Sequence, residues 1–149
     1  MSNPMRSAIH RFNDLFCETE ALYHEIFLSL GQSDSAMKIL YTLCDAGTPC
    51  PLQVVCRRSG LSKQTVNSAL RKLEQAGVLY LEAAGPRTKQ ICLTEAGQAL
   101  VARTAEPLLQ AETAVFDGWD PQEVESYLAL TERFLHDLRE QAATLPSHP

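Results

Sequence analysis

Residues 61–100 read LSKQTVNSALRKLEQAGVLYLEAAGPRTKQICLTEAGQAL. Ser62 is a residue that caps helices, because its hydroxyl can accept from the free N–H groups of a first turn. Behind it Val66, Ala69, Leu70 and Leu73 recur at helical spacing as an inner stripe, and Gly77 closes the helix. Lys63, Gln64, Asn67, Ser68 and Arg71 point the other way, with Thr65 near the leading edge. Val78–Ala83 and Lys89–Leu93 predict two strands, joined by Ala84-Gly85-Pro86-Arg87-Thr88. Thr94 then caps another helix. A polar-tipped helix followed by strand, turn and strand is the order of a helix-turn-helix with a β-wing.

The charge of this stretch sets it apart. From Arg57 to Lys89 there are seven basic residues and two acidic ones, a net of +5, whereas the whole chain is −5 and the remainder therefore −10. A sequence pI near 5.3 argues against nucleic acid only if charge is spread evenly. A local basic footprint is what counts.

Upstream, Ser59-Gly60-Leu61 predicts the turn, with Gly60 free to take the positive φ that a tight helix–helix turn needs. A short helix, Leu52–Arg58, precedes it, with Leu52, Val55 and Cys56 on one side and Pro51 suited to its start. Pro49 and Pro51 bracket a loop. Ser33, Asp34 and Ser35 start an earlier helix whose apolar face is Ala36, Ile39, Leu40 and Leu43, ending at Gly47. The first helix, Ala8–Leu30, carries a broad stripe through Ile9, Phe12, Leu15, Phe16, Leu22, Tyr23, Ile26 and Leu30. That is more apolar surface than one core absorbs, so burial against another subunit is expected. Downstream, the helix capped by Thr94 runs to about Phe116, with a break near Ala105 because Pro107 lies inside it. Asp120-Pro121-Gln122-Glu123 is a strong start for a last helix, reaching about Ala143.

The expected order is α-α-α-α-β-β-α-α: mainly α, with a small two-stranded wing. A chain of 149 residues with 45% hydrophobic content has enough apolar mass for a real core. Order is expected to fail only at the ends, polar Met1–Arg6 and Pro-rich Leu145–Pro149. There is no apolar run near membrane length and no signal-peptide pattern, so a cytoplasmic location is expected by default. Five cysteines at irregular spacing (17, 44, 50, 56, 92) read as reduced thiols. Cys44, Cys56 and Cys92 fall on apolar faces and read as core fillers, and Cys50 between its prolines as exposed. Histidines 10, 24, 136 and 148 do not sit at metal-ligand spacing, and no metal or cofactor is expected.

The outer face of the Ser62 helix carries the candidate chemistry. Gln64, Asn67 and Ser68 have the reach and donors to read base edges, and Gln and Asn pair bidentately with adenine. Lys63 and Arg71 suit guanine or phosphate, and free N–H groups at Ser62 and Lys63 suit phosphate. Arg87 is a cation on a hairpin tip, fit for a narrow minor groove, with Lys89 beside it. Arg57 and Arg58 either touch phosphate or cap their own helix.

The chain resembles the MarR family of bacterial transcription regulators. The resemblance rests on Leu61-Ser62-Lys63-Gln64-Thr65-Val66, Leu73-Glu74-Gln75-Ala76-Gly77-Val78, Arg87 in the wing and Leu93-Thr94-Glu95-Ala96-Gly97, and the flanking helices agree in order and length. One departure stands out. The family's wing usually has an acid two residues before its Arg, and here that position is Gly85.

The resemblance implies a single MarR-like unit over 1–149. In it a DNA-binding core spans about 33–100, and dimerisation helices span about 6–31 and 101–143. It also implies a homodimer on a pseudo-palindromic duplex operator and a small-molecule effector. In that family the ligand cleft lies between the outer helices and the winged helix, so Phe16, Tyr23, Ile39 and Leu43 are its lining candidates. Some members sense peroxide through a Cys in the first helix held by tyrosines, which makes Cys17, with Tyr23 and Tyr41, the redox candidate. No nucleophile elbow, phosphate loop or zinc-protease motif argues for an enzyme. The reading that follows is a DNA-binding regulator, most simply a repressor released by an effector. The alternatives are a thiol sensor using Cys17, or a winged helix that binds protein.

Overall fold

A computed structural model describes residues 3–148. Its contacts divide into two compact units, one running through Leu108 and one starting at Leu109.

In the first unit, α1 (Pro4–Ser29) starts four residues before the expected Ala8. Asn3 caps it by accepting from the Met5 N–H, and Pro4 sits where its missing N–H costs nothing. The polar start is therefore ordered from Asn3 onward, and Met1 and Ser2 lie outside the described residues. Helix α2 (Asp34–Ala46) is capped by Ser33, as expected. Next comes an element with no sequence signal, the two-residue strand β1 (Cys50–Pro51). Two residues carry no periodicity, and two flanking prolines read as loop. Pro51 fits there because β1 is an edge strand, where a missing N–H leaves no ladder bond unmade. Helix α3 (Leu52–Ser59) follows, then a turn in which Gly60 is left-handed at φ 69°.

Helix α4 (Lys63–Gln75) is the one the opening stretch predicts, and Ser62 accepts from the Thr65 N–H at 3.1 Å. The hairpin β2 (Leu79–Gly85) and β3 (Thr88–Leu93) is longer than the sequence pattern indicated. The sheet therefore has three strands, not two, in the antiparallel order β1-β3-β2. Helix α5 (Glu95–Arg103) ends at Thr104, and α6 (Ala105–Asp117) begins at once. The expected break is present, with Pro107 in the first turn of α6, where its missing N–H is one that a helix start leaves without an intrahelical partner.

The core of this unit is apolar and continuous. Met37, Ile39, Leu40 and Leu43 of α2 pack with Val55, Val66, Leu70, Leu73, Leu79, Ile91, Leu100 and Val101. Cys50, expected at the surface, is buried in it, because pairing with Ile91 turns its side chain inward. Cys44 and Cys56 half-fill the core margin as expected. Cys92 is buried too, yet it lies on the other face of the sheet, beside Glu82, and does not fill the core.

Thr94 and Gly97 form the joint behind the wing. The Thr94 hydroxyl donates toward the carbonyls of Gly77 (2.6 Å) and Val78 (3.0 Å) and accepts from the Gly97 N–H (3.0 Å). One side chain thus ties the end of α4, the start of β2 and the first turn of α5. Gly97 is needed because a Cβ there would lie 1.9 Å from the Val78 carbonyl oxygen.

In the second unit, α7 (Pro121–Ala142) opens with the expected capping box. Asp120 accepts from backbone N–H groups of the first turn, and Glu123 accepts from the Asp120 N–H. Phe116, Trp119 and Tyr127 meet edge to face, with ring centroids 5.2–6.2 Å apart. No residue of α7 is buried. Beyond Leu145 the described residues adopt no regular structure, and Pro149 lies outside them. Among the described residues, no helix is long and apolar enough to cross a membrane.

Candidate nucleic-acid interface

The sequence of α4 sorts its side chains by spacing, and the fold keeps that sorting. Val66, Ala69, Leu70 and Leu73 are buried, which leaves Lys63, Gln64, Thr65, Asn67, Ser68, Arg71 and Lys72 exposed on the opposite face. The Thr65 hydroxyl accepts from Ser62 at 2.8 Å, so these two polar groups serve the helix cap first. Gln64, Asn67, Ser68 and Arg71 have no hydrogen-bond partner among the described residues, which leaves their donors and acceptors available.

Two recesses flank this helix. One, of about 450 Å³, lies between α4 and the hairpin and is lined by Asn67, Leu70, Arg71, Glu74, Leu81 and Lys89. The other, of about 540 Å³, lies on the far side. Gln64, Thr65, Ser68 and Lys72 face Gln32, Ser33 and Ser35 there. Asn67, Arg71 and Lys89 are thereby brought together, although the last is 18 positions from its nearest partner in the group. Lys72, Gln32, Ser33 and Ser35 were not among the interface candidates read from sequence. Lys72 could have been, since it contributes to the basic stretch. The other three are polar loop and cap residues whose position depends on tertiary packing.

Arg87 stands exposed at the hairpin tip, with no side-chain hydrogen bond or ion pair among the described residues. Arg57 is likewise exposed and unpaired among them. Arg58 differs: its guanidinium pairs with Asp45 of α2, which offsets its charge and ties α3 to α2.

The structure corrects the expected ligand lining. Ile39 and Leu43 are at most 1% exposed and fill the core, so they present no surface to a ligand. The helical period that marks an apolar face cannot tell core from cleft. Phe16 is exposed on α1, stacked with Phe12 at 6.0 Å. Tyr23 is half-buried against Phe27.

Among the thiols, Cys17 is exposed on α1. Cys44 donates to the Glu106 carboxylate at 3.2 Å. Burial, then that hydrogen bond and the charges of Glu106 and Asp45, push its pKa up to about 11. At pH 8 its thiolate is then roughly one part in a thousand. Alkylation followed by mass spectrometry at that pH is expected to mark Cys17 well before Cys44. Equal rates would refute this description of Cys44.

On α7, His136, Asp137 and Glu140 bring ligand atoms within 4.8 Å of one another. All three are exposed, in the near-neighbour spacing common on a charged helix face.

A family model described as MarR family matches residues 30–88, the span from the end of α1 to the wing tip. Over that span, less than half of its length, the chain is similar to the MarR family. Solved structures share the MarR fold over most of the chain. NMB1585, a MarR family regulator from Neisseria meningitidis, is 19% identical with a TM-score of 0.78, covering 95% of this chain and 98% of that one. S. aureus MepR, solved in a DNA-binding conformation, is 19% identical at TM-score 0.73, covering 88% and 98%. Bordetella bronchiseptica BpsR, described as having its DNA binding regulated by 6-hydroxynicotinic acid, is 22% identical at TM-score 0.62, covering 83% and 98%. No curated protein sequence matches. The mostly helical MarR architecture with a small antiparallel sheet is the fold class the opening stretch indicated.

Proposed function

We propose that this chain is a homodimeric, sequence-specific DNA-binding regulator of transcription, acting in the cytoplasm as a repressor that an effector releases. The observation that carries the reading is the exposed face of α4 beside the wing, where Asn67, Arg71 and Lys89 share one recess while Arg87 stands free at the tip. In this reading Gln64, Asn67 and Ser68 address base edges in the major groove. Lys63, Arg71 and Arg57 hold phosphates, and Arg87 enters the adjacent minor groove. Arg58, held by Asp45, plays the smaller part. Residues 33–100 form the reading core.

The second copy is supported by apolar surface on helices outside that core. On α1, Met5, Ile9, Phe12, Leu15, Phe16 and Leu22 are exposed. On α7, so are Tyr127, Leu128, Leu130, Phe134, Leu135 and Leu138. Stripes of this size are rarely left in water. Two reading heads on a dimer address half-sites roughly 34 Å apart, which calls for a pseudo-palindromic operator. An effector then acts by favouring a dimer geometry that fits the duplex badly. That a BpsR structure of this fold is described with a small organic acid as regulator supports an effector of that general kind.

Sedimentation with and without duplex DNA tests the assembly. Leu135→Asp with Leu138→Asp is expected to give a folded monomer whose operator affinity falls at least about tenfold, since one reading head loses its partner. An unaltered chain that sediments as a monomer and binds DNA as one would contradict the proposal.

A further inference from the structure

We propose that Glu82 is a positioning residue, holding the hairpin at the point where it leaves the body of the sheet and thereby aiming Arg87 at DNA. This rests on the reading of Arg87 as a DNA contact.

The argument starts from register. Strand alternation turns Leu79, Leu81, Ile91 and Leu93 to the core side and places Tyr80, Glu82, Gln90 and Cys92 together on the outer face. Strand β1 pairs with β3 only at Cys50–Ile91 and Pro51–Gln90. The row Pro51–Gln90–Glu82 is therefore the last with three strands. From Lys89 outward the hairpin is a two-stranded ribbon, which has little stability of its own. Its register slips between Ala83 and Gly85, and the tip offers Arg87 no side-chain partner among the described residues.

Glu82 stands at the narrowing. Its Oε1 accepts from Gln90 Nε2 at 2.5 Å and from Cys92 Sγ at 3.4 Å. One oxygen thus grips β3 at two successive outward positions, with Tyr80 beside the thiol. Burial, then the bond to Glu82, pushes the Cys92 thiol up, so it stays a donor. Charge alone gives no reason for this residue. Glu82 is one of only two acids between Arg57 and Lys89, inside the stretch whose basic charge the DNA reading relies on. An acid there weakens binding by repulsion unless its hydrogen bonds return more.

The two effects predict opposite signs, which makes the test decisive. Fluorescence anisotropy of the full chain is measured on the tightest duplex selected from a randomised pool, with Arg87→Ala, Glu82→Ala and Glu82→Gln. The amide oxygen of Glu82→Gln can accept both bonds, so its affinity stays within about twofold of the unaltered chain or tightens. Glu82→Ala weakens binding about fivefold while the chain stays folded, its melting temperature lower by only a few degrees. Added to Arg87→Ala it costs nothing more, because there is no contact left to aim. If both Glu82 variants tighten binding, the residue acts only as a charge and the proposal is overturned. If Arg87→Ala weakens binding and Glu82→Ala does not, the proposal fails and the Arg87 contact stands. If Arg87→Ala binds as well as the unaltered chain, both fall.

Discussion

Arg87→Ala is expected to bind operator DNA about ten- to a hundredfold more weakly, with the salt dependence of log affinity flatter by about one unit. The magnitude follows from position. Arg87 is exposed at the hairpin tip and unpaired among the described residues, so contact with DNA would break no existing interaction. In a narrow minor groove it meets the strongest negative potential a duplex offers. Asn67→Ala should cost a similar amount by a different route. An amide that pairs with one base releases few counterions, so the salt slope is expected to stay constant while discrimination at one base pair falls by about 1–3 kcal/mol. Measuring both variants across salt and across single-base operator changes separates the roles. Equal slopes with uniform losses across sequences would mean that the two residues are not doing different jobs.

Gly97→Ala should lower stability by about 3 kcal/mol, or roughly 10 °C in melting temperature. The added Cβ would stand 1.9 Å from the Val78 carbonyl oxygen and 3.0 Å from both the Val78 carbonyl carbon and Leu93 Cδ2. Backbone on one side and core on the other leave it nowhere to go. Moving Val78 would also strain the Thr94 bridge, which holds the end of α4 to the start of α5. Gly118→Ala is the control: its nearest neighbour is the Val115 carbonyl oxygen at 3.4 Å, and a change within about 0.5 kcal/mol is expected. Thermal denaturation of both variants checks this. A Gly97→Ala variant as stable as Gly118→Ala would show that α5 is not pressed against Val78.

What the sequence revealed and what it hid follow from range. Ser62, Gly60, Gly77 and the Asp120–Glu123 box act within a turn of themselves, and their consequences could be read directly. The break before Pro107 is local in the same way. Strand β1 was not legible, because two residues between prolines become a strand only when Ile91 and Gln90 arrive from 40 positions on. The burial of Cys50 depends on the same pairing. Ile39 and Leu43 showed that apolar period marks a face without saying what lies against it. That the polar face of α4 and Arg87 lie exposed could be read from sequence. The tie of Arg58 to Asp45 and the place of Lys72 in a recess could not, since both depend on how α4 and α3 sit against α2.

The most direct test of the DNA-binding claim is anisotropy of the purified chain on duplex DNA from upstream of its own coding sequence, against a random duplex, across a salt series. The account predicts one dimer per duplex, nanomolar affinity, a steep fall with salt, and at least about a thousandfold preference over the random duplex. If the upstream duplex, and the tightest duplex selected from a randomised pool, both bind no better than random DNA, the α4 face and wing are not a DNA reader and the account is wrong.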